Sequence, residues 1–567
     1  MSSGNTTVDV TDGLSNSTHD AAPAPFALGM LAQPSFLLFE AQVILSALGI
    51  IWIGAHGSLR RPPSAAPAKR DVNGKKPKDD QFTEGFAASD AIMLPIMAGA
   101  VLIGLYYLIE WLQEPDILNR ILRVYMSAIS IASLGRPSMD ALEILTSLVF
   151  PTIWADRSGR IYRIDPVRRC QFLTHPSEED SEIPAEGKQT PFPGPLSNLR
   201  LSDRASQIVW EIRHLFTEEW TARLAVHGLI NVNSNLKLNN LLGFVVSIGV
   251  AIVYYLTGWH VLSNLLGSAF SYTAFALMSP TSFVIGTMVL VGLFVYDIVM
   301  VFYTPFMIAV ATKIDAPIKL VFQGTKGVSM LGLGDIVIPG LLIGLALRFD
   351  LHLSYQKRIK LEPVQLTSEL TSSSPGETIK TTETQYRKVK ALYVDSQSQW
   401  GNRFWTTKLG RASPIPAAGS ATAATAFPKP YFYASMVGYA LGMLLTLAML
   451  LVSNHGQPAL LYLVPGVTGS VWLTALVRGE LKDIWEYTED GSLDTKDVIV
   501  ELDPNGKIVK QIDQKSPEDK KSAKAVEEAE GDTEKVKSVA ERKTKTGDYE
   551  VFHFSITAPR HNAPKME

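Results

Sequence analysis

The sequence contains a single cysteine, Cys170, among 567 residues. One cysteine excludes an intramolecular disulfide, and a lone thiol beside Arg168 and Arg169 is more often an idle surface group than a nucleophile. The histidines show no HExxH pattern or clustered ligand spacing, and no glycine-rich phosphate-binding loop precedes a helix. We therefore expect no metal, no cofactor and no role for Cys170.

Charge is also scarce, since only 19% of the residues are charged and the formal net charge is −3. So small a charge does not provide the basic surface of a nucleic-acid-binding protein. The mean hydropathy is positive, +0.12. The apolar residues collect into blocks of ~20 residues, the length with which a helix crosses ~30 Å of hydrocarbon. These features indicate that the bilayer is the main solvent of the fold.

About nine blocks are long enough to span a membrane, so the predicted fold class is an all-α polytopic membrane protein. The third block is the weakest prediction, because Arg120 and Arg123 would have to extend toward the lumenal interface. The predicted spans are residues 36–56, 86–109, 117–135, 240–258, 261–278, 282–303, 330–349, 431–453 and 457–477.

Basic residues predict the orientation of these spans. Residues 1–34 contain no Lys or Arg and so lack the basic segment of a cleavable signal peptide, whereas a basic cluster follows the first block at residues 60–78. The N-terminus is therefore expected in the lumen and, after nine spans, the C-terminus in the cytosol. Lys313, Lys319 and Lys326 lie in a predicted lumenal loop and count against this orientation.

The segments outside the spans carry weaker signals. Asn5 and Asn16 begin N-glycosylation sequons in the predicted lumenal segment. In the long loop before the fourth span, apolar residues repeat at helical spacing from Ile208 to Phe216. This repeat predicts an amphipathic helix that lies on the membrane surface or packs on its own loop.

Two further segments have compositions typical of disorder. Residues 355–427 are rich in Ser, Thr, Ala and Pro, and residues 481–567 mix Lys, Glu and Asp with few aromatics. The predicted divisions are a lumenal segment 1–35, spans one to three in 36–154, a cytosolic loop 155–238, spans four to seven in 239–350, a cytosolic insert 351–430, spans eight and nine in 431–480, and a cytosolic tail 481–567.

Two spans contain an acid at a depth where the bilayer makes an acid costly: Asp297 in LFVYDIVMVFY and Asp335 in MLGLGDIVIPG. A central Asp costs roughly 2.5 to 3.5 kcal/mol on insertion, so such residues usually face the bundle interior and have a function. Consecutive spans run antiparallel; Asp297 lies six residues before Tyr303 and Asp335 five residues after Met330. Both carboxyls are then expected ~8 to 9 Å below the same face, where they can meet.

Two neighbouring carboxyls in a low-dielectric site cannot both ionise cheaply, so one keeps a proton near neutral pH. The ionised carboxylate can take a proton from water, the water can attack a peptide carbonyl, and the protonated partner can donate to the developing oxyanion. The pair titrates as a unit, so neither Asp is assigned as the base.

Other functions use similar residues. Paired acids at membrane depth also occur in proton or cation transporters, although these often show an internal repeat and neither Asp motif has a second copy. An inactive scaffold is a third alternative. Gly332 and Gly334 would let a substrate backbone approach Asp335, but glycines in membrane helices more often allow close helix packing. Pro458 is explained equally well as a residue that starts a helix.

Three motifs nevertheless occur in order on the late spans: Tyr296-Asp297, Gly332-Leu333-Gly334-Asp335 and Gln457-Pro458-Ala459-Leu460. They resemble the YD, GxGD and PAL motifs of the signal peptide peptidase branch of the presenilin-like intramembrane aspartyl proteases. The resemblance covers about residues 36–480. One GxGD alone would be weak, whereas three motifs in this order are specific.

The resemblance implies that Asp297 and Asp335 are the catalytic pair. It implies nine spans with a lumenal N-terminus, residence in the endoplasmic reticulum membrane, and membrane-spanning substrates, chiefly remnant signal peptides. It is compatible with a homo-oligomer or with membrane quality-control partners. The loops 155–238 and 355–427 are longer than the family pattern and are either tolerated insertions or partner-binding segments. The residues implied to shape the site or bind substrate are Tyr296, Gly332, Leu333, Gly334, Gln457, Pro458, Ala459 and Leu460.

Overall fold

The computed structural model of the protein describes eighteen parts of the chain. They are residues 34–67, 84–112, 115–156, 158–174, 182–184, 188–226, 230–313, 318–324, 327–371, 378–395, 397, 400–407, 426–453, 457–490, 493, 499–502, 508–512 and 552–557. Asn5 and Asn16 lie outside these described residues, so their glycosylation stays a prediction.

A long helix occupies each of the nine predicted positions. Among the described residues, seven of these helices are long and apolar enough to cross a membrane, while α3 and α5 do not meet that requirement. The polytopic helical fold is confirmed, and the count of nine spans stays a prediction. The helices are α1 Pro34–Gly57, α2 Asp90–Leu112, α3 Pro115–Val149, α4 Leu238–Thr257, α5 His260–Leu277, α6 Phe283–Phe302, α7 Leu333–Gln356, α8 Pro430–Ser453 and α9 Leu460–Arg478.

Helix α7 forms the centre of the bundle. In its membrane window 83% of the residues are buried, against 11 to 33% in the other six candidate spans. Helices α1, α5, α6, α8 and α9 all pack against it. A Cβ atom added to Gly54 of α1 would lie 2.0 Å from the ring of Phe275 on α5. One added to Gly340 of α7 would lie 2.5 Å from the same ring. The missing side chains of these two glycines therefore let three helices meet at one phenylalanine.

Helices α2, α3 and α4 lie outside this centre. Helix α2 packs on α6, and α3 packs on α4 and α5. Helix α3 is longer than its predicted span and carries Asp140, whose Oδ2 accepts a hydrogen bond of 2.6 Å from the hydroxyl of Tyr272 on α5. The added turns contain charged residues, so hydropathy alone placed the end of this helix too early.

The start of α7 also differs from the prediction. Residues Met330 to Gly332, expected in a helix, belong to a strand that pairs with Lys319–Gly324 in an antiparallel hairpin. Gly332 precedes α7 in an extended conformation, with φ −65° and ψ 138°. Strand pairing takes Met330 to Gly332 out of the helix, so α7 begins at Leu333 and runs to Gln356 instead.

The long loop before α4 contains a helix, Asp203–Thr217, that packs on its own loop. Its buried Trp210 joins Trp154 and Tyr162 in a small apolar core. Three of the apolar residues that predicted this helix are exposed and point away from that core. Ile208, Ile212 and Leu215 are 59%, 41% and 42% exposed. The helix therefore packs through the side that carries the buried residues Trp210, Arg213 and His214.

Regular structure also occurs in the insert and the tail, which differs from the expectation of disorder. Both contain β-branched runs, but their pairing partners lie far along the chain, where composition cannot locate them. The helix Trp400–Thr406 of the insert docks on the loop region, because Asn402 Oδ1 accepts the backbone N–H groups of Thr152 and Ile153.

Within the described ranges of the chain, the strands form five small sheets. They are Glu84–Phe86 with Met278–Pro280; Lys319–Gly324 with Gly327–Gly332; Lys360–Thr371, Thr378–Val389, Ile499–Leu502 and Ile508–Ile512; Phe552–Thr557, Trp220–Val226 and Ile230–Leu236; and Ile153–Ala155, Ile161–Asp165, Cys170–Thr174 and Glu182–Pro184. The remaining short helices among the described residues are Gly194–Asn198, Phe306–Lys313 and Leu481–Glu486.

Candidate active site

Asp297 lies in α6, five residues before the helix ends at Phe302. Its side chain is buried, with the residue 4% exposed. Carboxylate Oδ2 accepts a hydrogen bond of 3.1 Å from the backbone N–H of Leu460. An acid within an apolar helix is thus paired with the main chain of a different helix.

The N–H of Leu460 is available because Leu460 is the first residue of α9. The first N–H groups of a helix have no partner within it, and together they carry a partial positive charge. Pro458 and Ala459 form the turn that precedes the helix. The carbonyl of Pro458 accepts the N–H of Leu461, and the carbonyl of Ala459 accepts the N–H groups of Tyr462 and Leu463. Pro458 therefore lies before α9 and not in its first turn, and the PAL motif presents a helix N-terminus to Asp297.

Asp335 is the third residue of α7 and is half-buried. Helices α6 and α7 pack together, and a charge on Asp297 is close enough to act on Asp335. Because α7 begins at Leu333, Asp335 lies only ~3 Å along the helix axis from the start of α7. Asp297 lies ~7.5 Å along the axis from the end of α6. The two acids share one end of the bundle, but they lie at different distances from the ends of their own helices.

The glycines beside Asp335 do not lie in tight helix crossings. A Cβ added to Gly334 would meet no atom within 4 Å, and one added to Gly332 would lie 3.4 Å from Asp335 Oδ2. The close crossing occurs elsewhere: a Cβ added to Gly438 of α8 would lie 2.2 Å from the carbonyl oxygen of Gly466 on α9. Gly332 and Gly334 thus leave space on one side of Asp335.

The other residues implied by the motifs are spread more widely. Tyr296 lies beside α2, its Cε2 3.6 Å from the Cβ position of Gly99. Leu333 is buried, and its N–H donates to the carbonyl of Ile318 at 3.0 Å. Gln457 accepts from the hydroxyl of Tyr462 at 3.4 Å and donates to Ser453 at 2.9 Å. Among the motif residues, Leu460 contacts Asp297 and Gly332 lies beside Asp335. The described contacts of Tyr296 and Gln457 are with residues other than the two aspartates.

The hairpin before α7 is held by Asn264 of α5, which sequence reasoning missed. The side-chain amide donates to the carbonyl of Val321 at 2.7 Å and accepts the N–H of Val321 at 2.8 Å. Val321 pairs in register with Met330. Since Val321 turns its N–H and C=O toward α5, the corresponding groups of Met330 point to the opposite edge of the hairpin. The detectable signal was an amide side chain within an apolar block.

Asp350 near the other end of α7 is a second residue without a predicted role. Its carboxylate accepts the backbone N–H groups of Tyr431 and Phe432, at 3.3 and 2.9 Å, in the first turn of α8. Tyr439, further along α8, donates its hydroxyl to the backbone carbonyl of Asp335 at 3.3 Å. Asp350 lies one residue beyond the predicted span 330–349, so hydropathy did not select it, and no sequence signal separates Tyr439 from other core tyrosines.

A buried ion cluster closes the end of the bundle away from the acid pair. Arg348 of α7 donates from Nε to Glu489 Oε1 at 2.8 Å and from Nη1 to Ser58 at 2.8 Å. Arg60 also pairs with Glu489. Burial alone would raise the pKa of Glu489, but Arg348 and Arg60, with hydrogen bonds from Arg348 and Ser279, lower this pKa from 4.5 to about 2.

No metal centre accompanies these acids in the described part of the chain, where no three His, Cys, Asp or Glu residues are grouped to hold an ion. The arrangement consists of two carboxyls, a helix N-terminus and a strand edge. Such a group of residues can orient water and a peptide, and move protons between them.

A comparison with protein-family models identifies the relationship. The model described as signal peptide peptidase matches residues 78–491, which include both aspartates and the segment around Pro458. The chain belongs to the signal peptide peptidase family.

Individual curated proteins are similar to parts of this chain. A signal peptide peptidase of Mus musculus is 33% identical over 251 residues, 43% of this chain and 48% of the relative. An intramembrane protease of Caenorhabditis elegans is 32% identical over 255 residues, 43% of this chain and 42% of the relative. A probable intramembrane protease of Saccharomyces cerevisiae is 23% identical over 428 residues, 72% of this chain and 62% of the relative.

The chain thus spans about half the length of the first curated relatives it matches. No solved structure matches the chain significantly. All three motifs of the sequence lie within the part of the chain that the family model matches.

Proposed function

We propose that this protein is an intramembrane aspartyl endopeptidase that hydrolyses peptide bonds within membrane-spanning segments, chiefly remnant signal peptides in the endoplasmic reticulum membrane. The observation that carries the proposal is the convergence of Asp297 and Asp335 at one end of the packed helices α6 and α7, with the N-terminus of α9 at Asp297. Membership of the signal peptide peptidase family supports the same function.

In this mechanism the two carboxyls share one proton and hold a water molecule between them. The ionised carboxylate removes a proton from the water as its oxygen attacks the scissile carbonyl carbon, and the other carboxyl donates its proton to the carbonyl oxygen. The Leu460 N–H holds Oδ2 of Asp297 and so restricts the rotation of that carboxylate. No role as base is assigned to either Asp, because the pair titrates as a unit.

The substrate must be extended at the bond that is cut, because a helical peptide keeps its carbonyls in intrahelical hydrogen bonds. The hairpin edge that carries Met330 is suited to an extended chain. In the described residues the hairpin is two-stranded, Met330 is exposed, and this edge leads to Gly332 and Asp335. A substrate segment added to this edge would be bound through main-chain hydrogen bonds beside the acid pair.

The test is cleavage of a labelled signal peptide by the purified full chain in detergent or bicelles. We expect Asp297→Asn and Asp335→Asn each to reduce the cleavage rate by at least roughly 100-fold, because each removes a proton-transfer group. Asp483→Asn, which changes an exposed acid beyond α9, is the matched control and should cleave normally. A transition-state analogue with a hydroxyl in place of the scissile carbonyl should inhibit the wild-type chain.

The purified chain, reconstituted into proteoliposomes, also distinguishes a protease from a transporter. Proteoliposomes of the wild-type chain should release peptide products and show no acid-dependent ion flux. Flux without products, or cleavage that persists in both Asp variants, would contradict the proposal.

A further inference from the structure

The backbone carbonyl of Asp335 lacks the usual donor in its own helix. In an α-helix this carbonyl accepts the N–H of the residue four positions later, which here is Pro339. Proline has no N–H, so α7 cannot form that bond. A carbonyl left without a donor in the interior of a protein costs free energy comparable to a lost hydrogen bond.

Helix α8 supplies the missing donor. The hydroxyl of Tyr439 donates to the Asp335 carbonyl at 3.3 Å. Tyr439 is fully buried, at 0% exposed, in the central core cluster. A buried tyrosine hydroxyl needs a polar partner, and the carbonyl released by Pro339 provides one.

The position of Tyr439 is itself fixed by the packing of α8. Asp350 binds the N-terminal N–H groups of α8, and Gly438, the neighbour of Tyr439, touches the backbone of Gly466 on α9. Helix α9 in turn donates the Leu460 N–H to Asp297. The packed pair α8 and α9 therefore makes one hydrogen bond to each of the two acidic residues.

We infer that Tyr439 is a positioning residue for the acid pair. Its hydroxyl takes the place of the N–H that Pro339 lacks, and it holds the backbone of Asp335 in register with Asp297. The inference rests on the proposed proteolytic function, since positioning is measured through catalysis. Tyr439 contacts a backbone atom of Asp335 and is not assigned a role in proton transfer.

A double-mutant cycle on the purified full chain tests this role. Tyr439→Phe keeps the ring and removes the hydroxyl, whereas Pro339→Ala restores an N–H at the position that α7 normally uses. With Pro339 present, Tyr439→Phe should lower kcat about fivefold, the loss that one hydrogen bond of ~1 kcal/mol supports, with KM unchanged. In the Pro339→Ala background, Tyr439→Phe should lower kcat less than about twofold. Tyr439→Phe should shift the pH profile of kcat only when Pro339 is present.

Tyr433→Phe is the matched control, because Tyr433 is on the same helix and is 59% exposed; its kcat should equal that of the wild-type chain. An unchanged kcat in Tyr439→Phe would overturn the inference, as would an equal loss in both backgrounds. Coupling seen in thermal unfolding but absent from kcat would also overturn it, because the contact would then be structural only. Asp335→Asn, measured alongside, separates the proposals: cleavage retained there rejects the proposed protease, whereas cleavage lost there with normal Tyr439→Phe rejects only the positioning role.

Discussion

At the scale of single residues, buried acids of this protein bind helix N-termini. Asp297 accepts the first N–H of α9, and Asp350 accepts two N–H groups in the first turn of α8. The two acids lie on different helices and serve different ends of the bundle. An acid that binds a helix N-terminus within an apolar span therefore does not by itself indicate catalysis. The role proposed for Asp297 depends on the second acid, Asp335, at the same end of the bundle.

Asp350→Ala should destabilise the protein by ~1 kcal/mol, within a range of about 0.5 to 2, because two N–H groups of α8 lose their acceptor. Asp350→Asn retains an acceptor oxygen and should lose less. Thermal unfolding of the purified chain measures both effects. Asp483→Ala, at an exposed acid, serves as control and should stay within about 0.5 kcal/mol of the wild-type chain. An Ala variant as stable as the wild type would refute the capping role.

At the scale of elements, the close approach of α8 and α9 depends on glycine. The carbonyl oxygen of Gly466 occupies the place where a side chain of Gly438 would be, and Gly442 meets the backbone of α9 one turn further along. Gly469 on α9 has no neighbour within 4 Å of its Cβ position. The same residue type thus has a packing role at one site and none at another.

Gly438→Ala should cost about 1 to 3 kcal/mol of stability, since the added methyl forces the two helices apart. It should also slow cleavage, because this helix pair contacts both acids. Gly469→Ala is the matched control; it should be neutral or stabilise the helix by up to about 1 kcal/mol. Thermal unfolding and peptide cleavage of the two variants, measured together, check the contrast, and equal effects in both would contradict it.

The hairpin before α7 is a second element with a defined attachment. Asn264→Ala removes two hydrogen bonds to Val321, each worth ~1 kcal/mol, so the hairpin should open more often. Hydrogen exchange at the Val321 amide should become faster, and KM for a signal peptide should rise. Ser268→Ala on the same helix removes only a local bond and should leave both quantities unchanged. Unchanged exchange in Asn264→Ala would show that other contacts hold the strand.

At the scale of the whole molecule, one buried ion cluster joins distant parts of the chain at the end away from Asp297 and Asp335. Glu489, beyond α9, meets Arg348 of α7, Arg60 beyond α1, and Ser279 between α5 and α6. The segment after α9 is therefore part of the membrane fold up to this residue. Cutting the chain before Glu489 would leave Arg348 as an unpaired buried charge.

Glu489→Gln should destabilise the protein by roughly 3 to 5 kcal/mol, because Arg348 and Arg60 lose their counter-charge. The pKa of Glu489 is about 2 in the folded protein and 4.5 ordinarily. Because the folded value is the lower one, the stabilisation is complete above about pH 4.5 and is lost as the pH falls toward 2. Thermal unfolding across this window should show the wild type approaching Glu489→Gln at low pH.

Glu486→Gln is the control for this effect, since Glu486 is exposed and its ion pair within the described chain is with Lys482, which is exposed as well. Its stability should follow the wild type within about 0.5 kcal/mol at every pH. A constant gap between wild type and Glu489→Gln down to pH 2 would exclude titration of Glu489 as the cause.

Hydropathy located the helices well because the cost of placing polar groups in hydrocarbon acts residue by residue along the chain. The same cost singled out Asp297 and Asp335, whereas Asp350 lies one residue beyond its predicted span and was not singled out. It failed at Met330–Gly332, where a strand replaces the start of the predicted helix, and in α3, which continues beyond its apolar part. Those boundaries depend on pairing and packing partners outside the local window.

The amino-acid sequence by itself determined the apolar spans, the acids within them and the three ordered motifs, since each is a property of a short stretch of chain. Only the tertiary structure decided that Leu460 binds Asp297, that Tyr439 binds the carbonyl that Pro339 leaves without a helical donor, and that Asn264 holds the hairpin. These contacts join residues that are from 57 to 163 positions apart. Hydrogen bonds act over about 3 Å, so only the folded arrangement of helices can bring such residues together.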